Sequence, residues 1–270
     1  MKKIIQIIIA IFLLHYNIYP DAAEPKPGTA FKFSSANMIY TIEIKILGHP
    51  DTSPSECTFK KQGNILWKKE VPTTPGYVNI SDNGKYFVFA NWGCYDEGGR
   101  KSVSFYDGDG NFLKEIEFNH MCRWIMKSCI SKDGNYYITA NIFKGNPQVT
   151  LYSVLNQTEL WNKNLVQDLS QYKGWMDFDN ILVSKTFDYF LISAFDHDEG
   201  NMFYFYLNKT GDILWQKKIK KGYPWDYLGP SNKKDFTGLS ENGISFKVFN
   251  LPLNIWEKYK NINGKVELVQ

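Results

Sequence analysis

Histidine and cysteine are scarce, with four of each in 270 residues. His15, His49, His120 and His197 stand far apart, without the clustered partners that a metal centre or a catalytic triad requires. Cys57, Cys94, Cys122 and Cys129 include no Cys-x-x-Cys spacing, which leaves no zinc cluster and no dithiol redox motif. No Gly-x-Ser-x-Gly elbow and no phosphate-binding loop occurs. A surplus of one charge is missing too. The 31 Lys and Arg are offset by 28 Asp and Glu, leaving +3. Phosphate binding needs a concentrated cationic face, so the composition argues against nucleic acid as a partner. Lys60-Lys61, Lys68-Lys69 and Lys217-Lys218 read as solvated strand ends. Sustained helical periodicity is absent after the first twenty residues.

The long apolar run is confined to the N-terminus. Lys2 and Lys3 precede Ile4 to Leu14, broken only by Gln6, and Tyr19-Pro20-Asp21-Ala22-Ala23 follows. A core of roughly 11 residues is too short to span a bilayer and fits a secretory signal. Asp21 is unusual three residues before a cut after Ala23, which leaves an uncleaved anchor as the alternative. No cysteine follows the run to carry a lipid. The expected organisation is a signal peptide over 1–23, a stiff spacer over 24–30 and one domain over 31–270. The expected location is secreted or periplasmic, by bacterial export, with no stable membrane span after cleavage. An oxidising compartment makes disulfides plausible, and counting alone leaves three pairings.

What the chain has in abundance is aromatic residues, 16%, which suit half-buried strands. Laid on itself, the sequence repeats. One signature is a Ser-x-x-Gly turn followed by an aromatic-rich strand. It occurs as Ser81-Asp82-Asn83-Gly84-Lys85-Tyr86 and Ser131-Lys132-Asp133-Gly134-Asn135-Tyr136. Looser copies begin at Ser34, Ser184 and Ser240, and the serines are spaced 47, 50, 53 and 56. A second signature follows each one, a turn and then a strand ending near tryptophan. Its copies are Gly63-Asn64-Ile65-Leu66-Trp67, Gly110 to Lys114, Gln157 to Trp161, Gly211 to Trp215, and Gly264 to Leu268. Each unit parses into four short strands. In the second unit these are Tyr77–Ile80, Tyr86–Asn91, Ser102–Tyr106 and Phe112–Phe118. Four strands per unit of about 45 to 55 residues predict an all-β fold, a β-propeller of about five four-stranded blades.

Thr210-Gly211-Asp212-Ile213-Leu214-Trp215 resembles the repeat of quinoprotein-like propellers. The Ser-x-Asn/Asp-Gly-x-Tyr turns resemble those of WD40-like bacterial propellers. The resemblance implies a fold, and a fold does not imply an activity. Quinoprotein enzymes are longer and carry adjacent cysteines beside the cofactor. This chain has no Cys-Cys pair, so the quinone is not carried over and no cofactor is expected.

In such a ring, connections from each fourth strand to the next blade, and from each second strand to the third, emerge on one face. Three sets of residues fall there. Tyr77, Trp124, Trp175 and Trp225 recur at spacings of 47, 51 and 50. They form either a ligand-binding rim or wedges between blades. Trp67, Trp161 and Trp215 read instead as blade-docking residues. Asp196, Asp198 and Glu199 offer oxygen ligands to Ca²⁺, although their loop lacks the length and spacing of a dedicated calcium loop. Cys94 and Cys122 reach the same face, which makes Cys94–Cys122 the preferred disulfide. Cys57 is placed at the end of a connection there, and Cys129 near the far end of an inner strand as a buried free thiol.

These readings predict a non-catalytic recognition or scaffold propeller for a protein or glycan ligand. The rival is a propeller-fold glycoside hydrolase or lyase working through funnel carboxylates, with Asp177, Asp179, Asp226 and Asp235 as candidates.

Overall fold

Each repeat folds into one four-stranded antiparallel sheet whose strands follow one another in chain order. A computed structural model describes residues 26–48, 53–72, 75–91, 102–117, 125–143, 146–166, 176–196, 199–220 and 237–269. The first sheet comprises β1 (Ala30–Ser34), β2 (Tyr40–Ile46), β3 (Ser55–Lys61) and β4 (Asn64–Val71). The second comprises β5 (Pro75–Ile80), β6 (Tyr86–Asn91), β7 (Ser102–Asp107) and β8 (Phe112–Glu117). The third holds β9 (Ile125–Ile130), β10 (Tyr136–Phe143), β11 (Asn146–Ser153) and β12 (Thr158–Asn164). The fourth holds β13 (Met176–Val183), β14 (Tyr189–Asp196), β15 (Asn201–Asn208) and β16 (Ile213–Ile219). The fifth holds β17 (Thr237–Leu239), β18 (Ser245–Asn250), β19 (Ile255–Ile262) and β20 (Lys265–Val269). The inner strands β1, β5, β9, β13 and β17 lie side by side in that succession.

The core lies between the sheets rather than inside any one of them. Ile42, Ile44, Cys57 and Phe59 of the first sheet meet Ile80, Phe87 and Phe89 of the second. Phe105 of the second meets Tyr137 and Tyr152 of the third. Leu151 of the third meets Phe190 and Phe205 of the fourth, and Tyr206 of the fourth meets Phe246 of the fifth. Central strands are therefore apolar on both faces: all but one end residue of β14 and of β15 is buried. The outer strand β4 is exposed along most of its length.

The Ser-x-x-Gly signature builds the turn between the first two strands. Ser81 Oγ accepts the Tyr86 amide at 3.1 Å and donates to Asn83 Oδ1 at 2.8 Å. Ser131, Asp133 and Tyr136 repeat the arrangement. So do Ser35, Asn37 and Tyr40. The first copy is thus shifted by one residue from the sequence reading: Ser34 ends β1, paired with Thr41, and Ser35 makes the turn. The fourth residue of every turn has positive φ, from 61° at Met38 to 79° at Gly134. Glycine there also gives room. A Cβ at Gly84 would lie 2.4 Å from the Tyr40 ring, and one at Gly243 2.5 Å from Tyr189. Each tyrosine thus lies across the turn of the following sheet. In the fourth sheet Phe187 (φ 62°) replaces glycine, and the Tyr136 ring stacks against it at 6.2 Å.

Turns of successive sheets are also bonded to one another. Asn37 Nδ2 donates to the Asp82 carbonyl and Asn83 Nδ2 to the Asp133 carbonyl. The Asp82 amide donates to the Lys132 carbonyl, and the Lys185 amide to that of Glu241.

The tryptophan signature docks one sheet onto the next. Trp67 Nε1 donates to the Gly108 carbonyl, and Trp161 Nε1 to that of Lys209, both at 2.8 Å. Gly110 and Gly211 lie against these indoles; a Cβ would come within 2.8 and 2.9 Å of them. A one-residue bulge in four of the five outer strands, at Leu66, Leu113, Leu160 and Leu214, precedes the docking position. Between the second and third sheets the pair is replaced on both sides. Lys114 stands opposite Phe105 where tryptophan would be, and Gln157 (φ 52°) takes the glycine's place.

Sheets four and five are joined by a polar network. Glu257 accepts from Lys217 Nζ, from Asn250 Nδ2 at 2.8 Å and from Tyr259 Oη at 2.7 Å. Partial burial raises the Glu257 pKa, but these donors outweigh it and hold the carboxyl below its usual range. Glu257→Gln is expected to cost about 1–2 kcal/mol at neutral pH, measured by denaturant unfolding. Because the folded pKa is depressed, that advantage is whole above about pH 4.3. It is lost as pH falls through the folded value, so wild type and variant should converge in acid.

Cys57 does not end a connection. It lies within β3, wholly buried against the second sheet, and burial pushes its thiol up to about 12. Such a thiol is free and inert. Cys129 is a free thiol on the inner strand β9, half-buried and not enclosed as the sequence suggests.

Candidate functional site

The two ends of the sheets differ in construction. At one end lie the first-to-second and third-to-fourth strand turns: 35–39, 62–63, 81–85, 108–111, 131–135, 154–157, 184–188, 209–212, 240–244 and 263–264. They are short, regular and bonded from sheet to sheet. The opposite ends of the strands are joined through 47–54, 92–101, 118–124, 165–175 and 220–236, each longer than any of those turns, and through the shorter 72–74, 144–145, 197–200 and 251–254. Tight turns that repeat their hydrogen bonds serve the scaffold. Long connections that vary from unit to unit are where a rigid scaffold displays binding groups.

Tyr77 lies toward that long-connection end of β5. Its ring is half-buried and packs against the core formed by Val88, Phe105 and Tyr137. Trp124, Trp175 and Trp225 lie outside the described residues, as do Cys94 and Cys122.

Of the acidic loop, Asp196 and Glu199 are described and Asp198 is not. Asp196 ends β14, is buried, and accepts the Glu199 amide at 3.3 Å. Its carbonyl accepts the Gly200 amide. Glu199 accepts from Asn201 Nδ2 and sits 3.5 Å from Lys218 Nζ. Both carboxylates thus have protein donors, and among the described residues no group of His, Cys, Asp and Glu is arranged to hold a metal.

Of the four funnel carboxylates, Asp226 and Asp235 lie outside the described residues. Asp177 falls on β13, paired with Phe195. Asp179 occupies the bulge of β13 between Phe178 and Asn180 and accepts from Ser193 Oγ at 3.0 Å. The bulge turns this carboxylate onto its own sheet.

One polar contact on the inner strands had no forerunner in the sequence reading. Asn79 Nδ2 donates to Ser128 Oγ at 2.6 Å, joining β5 to β9. The available signal was weak, a single polar residue at matching places on two inner strands.

Five four-stranded meanders, packed face to face with their inner strands in succession, define a β-propeller of about five blades with WD40-like turns. Solved structures carry the same fold. The propeller domain of Cps50 (Swd1) from Myceliophteria thermophila matches 92% of this chain at 14% identity with a TM-score of 0.53. The Dos1 propeller matches 86% at 11% identity and 0.54. KlAtg21, solved in complex with the coiled-coil of AgAtg16, matches 89% at 12% identity and 0.52. The chain spans 72%, 56% and 69% of those chains respectively. No family model matches it, and no curated protein matches it by sequence. Among the described residues no helix is long and apolar enough to cross a membrane.

Proposed function

We propose that the chain is an exported, non-catalytic propeller that recognises a protein or glycan ligand at the end carrying its long connections. Residues 1–23 act as the signal peptide, 24–30 as a spacer and 31–270 as the domain that reaches the periplasm or the exterior. The observation that carries the reading is the asymmetry of the two ends. One is tied together turn by turn, and the other is where every connection longer than five residues leaves the sheets, with Tyr77 toward it and Trp124, Trp175 and Trp225 recurring with Tyr77 in the sequence. Flat rings around a funnel mouth suit sugars or apolar side chains. That one propeller of this fold was solved with a coiled-coil bound supports a protein as ligand.

The test is a glycan and peptide array probed with the purified chain, repeated with Trp175→Ala/Trp225→Ala. Binding weakened at least about tenfold, a loss of roughly 1.4 kcal/mol, at an unchanged melting temperature would identify the rim. Retained binding with a lowered melting temperature would assign these rings to packing between blades. Fractionation of a bacterial host expressing the chain checks export, and protein held in the cytoplasm refutes that part.

A further inference from the structure

The outward flank of the fifth sheet differs from that of the first. Phe246, Val248 and Tyr259 face the fourth sheet. The opposite face carries Lys247 on β18 and Lys258 and Lys260 on β19, all exposed. Lys247 stands directly across from Lys258, and like charges in that position are unfavourable. Among the described residues none of the three forms an ion pair. Glu267, opposite Lys260, pairs with Lys265 at 3.4 Å. The first sheet's outward flank neutralises itself, through Glu43–Lys60 at 2.6 Å and Glu56–Lys68 at 2.7 Å. A flank needing only solubility would carry such mixed signs.

The lysines line a groove of about 390 Å³ together with Gly238, Ser240 and Val269. Gly238 leaves space for the Lys247 side chain to lie across β17; a Cβ there would come 2.7 Å from its Cε. Phe249 and Trp256, rings 5.3 Å apart, continue the face at one end. The Lys247 ammonium sits 4.2 Å above the Trp256 ring, which occupies the surface a sugar would stack on.

We infer that this flank docks an extended acidic segment of a partner protein. Lys258 and Lys260 are two residues apart on one strand, so their side chains repeat at about 6.8 Å. An extended peptide with a carboxylate at every second position has the same repeat. Lys247 lies about 5 Å to the side, ready to take a second oxygen. The three lysines lie along the flank toward the 240–244 turn and not at the long-connection end, so failure at either leaves the other standing.

The probe is a fluorescein-labelled octapeptide of alternating Glu and Thr, titrated into the full chain by fluorescence anisotropy. Binding should weaken as salt rises. Lys258→Gln/Lys260→Gln should weaken it by about tenfold or more, and Lys45→Gln/Lys68→Gln on the first sheet should leave it within about twofold. A peptide with its four Glu in one block should bind less well. The two lysine positions are exposed, so the variant should melt no lower than wild type. Absence of binding, or equal loss in the first-sheet variant, overturns the inference. Tighter capture of polygalacturonate than of the peptide overturns it in favour of a glycan. A dimer that dissolves in the Lys258/Lys260 variant overturns it in favour of a second copy.

Discussion

Replacing Phe87 by alanine should lower the unfolding free energy by about 3–5 kcal/mol. Phe87 is wholly buried at the junction of the first two sheets. Its ring stacks on Tyr106 at 5.1 Å and 4°, with Phe89, Trp67 and Phe59 at 5.3, 5.7 and 5.8 Å. Rigid rings on every side cannot collapse into the space, so the cavity term adds to the lost transfer energy. Interfaces in repeat folds act mainly between neighbours, so the damage should be local. Amide exchange should rise in β2, β3, β6 and β7 well before it rises in β14 and β15. A loss below about 1 kcal/mol in denaturant unfolding would contradict this packing.

Gly84→Val is expected to cost about 2–5 kcal/mol, the sum of a left-handed backbone penalty and overpacking. Gly84 has φ 67°, and its Cβ would fall 2.4 to 2.7 Å from three atoms of the Tyr40 ring. Gly63→Val is the control, because Gly63 has φ 85° and nothing within 4 Å of its Cβ. The control carries the backbone penalty alone, so the difference between the variants measures the contact with Tyr40. Adding Tyr40→Ala to Gly84→Val should give less than the sum of the single effects. Full additivity would mean that the ring and the turn do not meet.

The pattern of residues revealed the repeat because the units meet the same needs: a serine to hold a turn and a residue at positive φ in every unit, and an indole for the next sheet in three of them. The second strand of the second unit begins and ends where its composition says. Errors arose where a different residue meets the same need. The Ser34-Ser35 doublet let the turn be read one residue early. At Phe187 a left-handed backbone is carried by a residue that composition would never nominate. The sequence places Cys57 at the end of a connection because 47–54 carries no strand pattern, yet β3 begins at Ser55 and buries Ser55, Cys57 and Phe59 in turn. The acceptors of the docking indoles, Gly108 and Lys209, are backbone carbonyls, and composition cannot point to them. The candidate binding end was legible only as a recurrence of aromatics. The lysine flank was not, since Lys247 meets Lys258 only through strand register, although Trp256, Lys258, Lys260 and Ile262 share a period of two.

The docking of Trp67 and Trp161 onto the following turns bears on how such a chain can grow. Trp67 is received by Gly110, and Trp161 by Gly211. Lys114 and Gln157 have departed from the pair together. A tandem copy of the third sheet would set Trp161 against a second Gln157, which offers no seat. A copy of the fourth sheet placed after the first would meet Trp67 with Gly211. The heritable module is therefore the seam, an outer strand with the turn that receives it, and duplication succeeds only where its breakpoints keep seams whole.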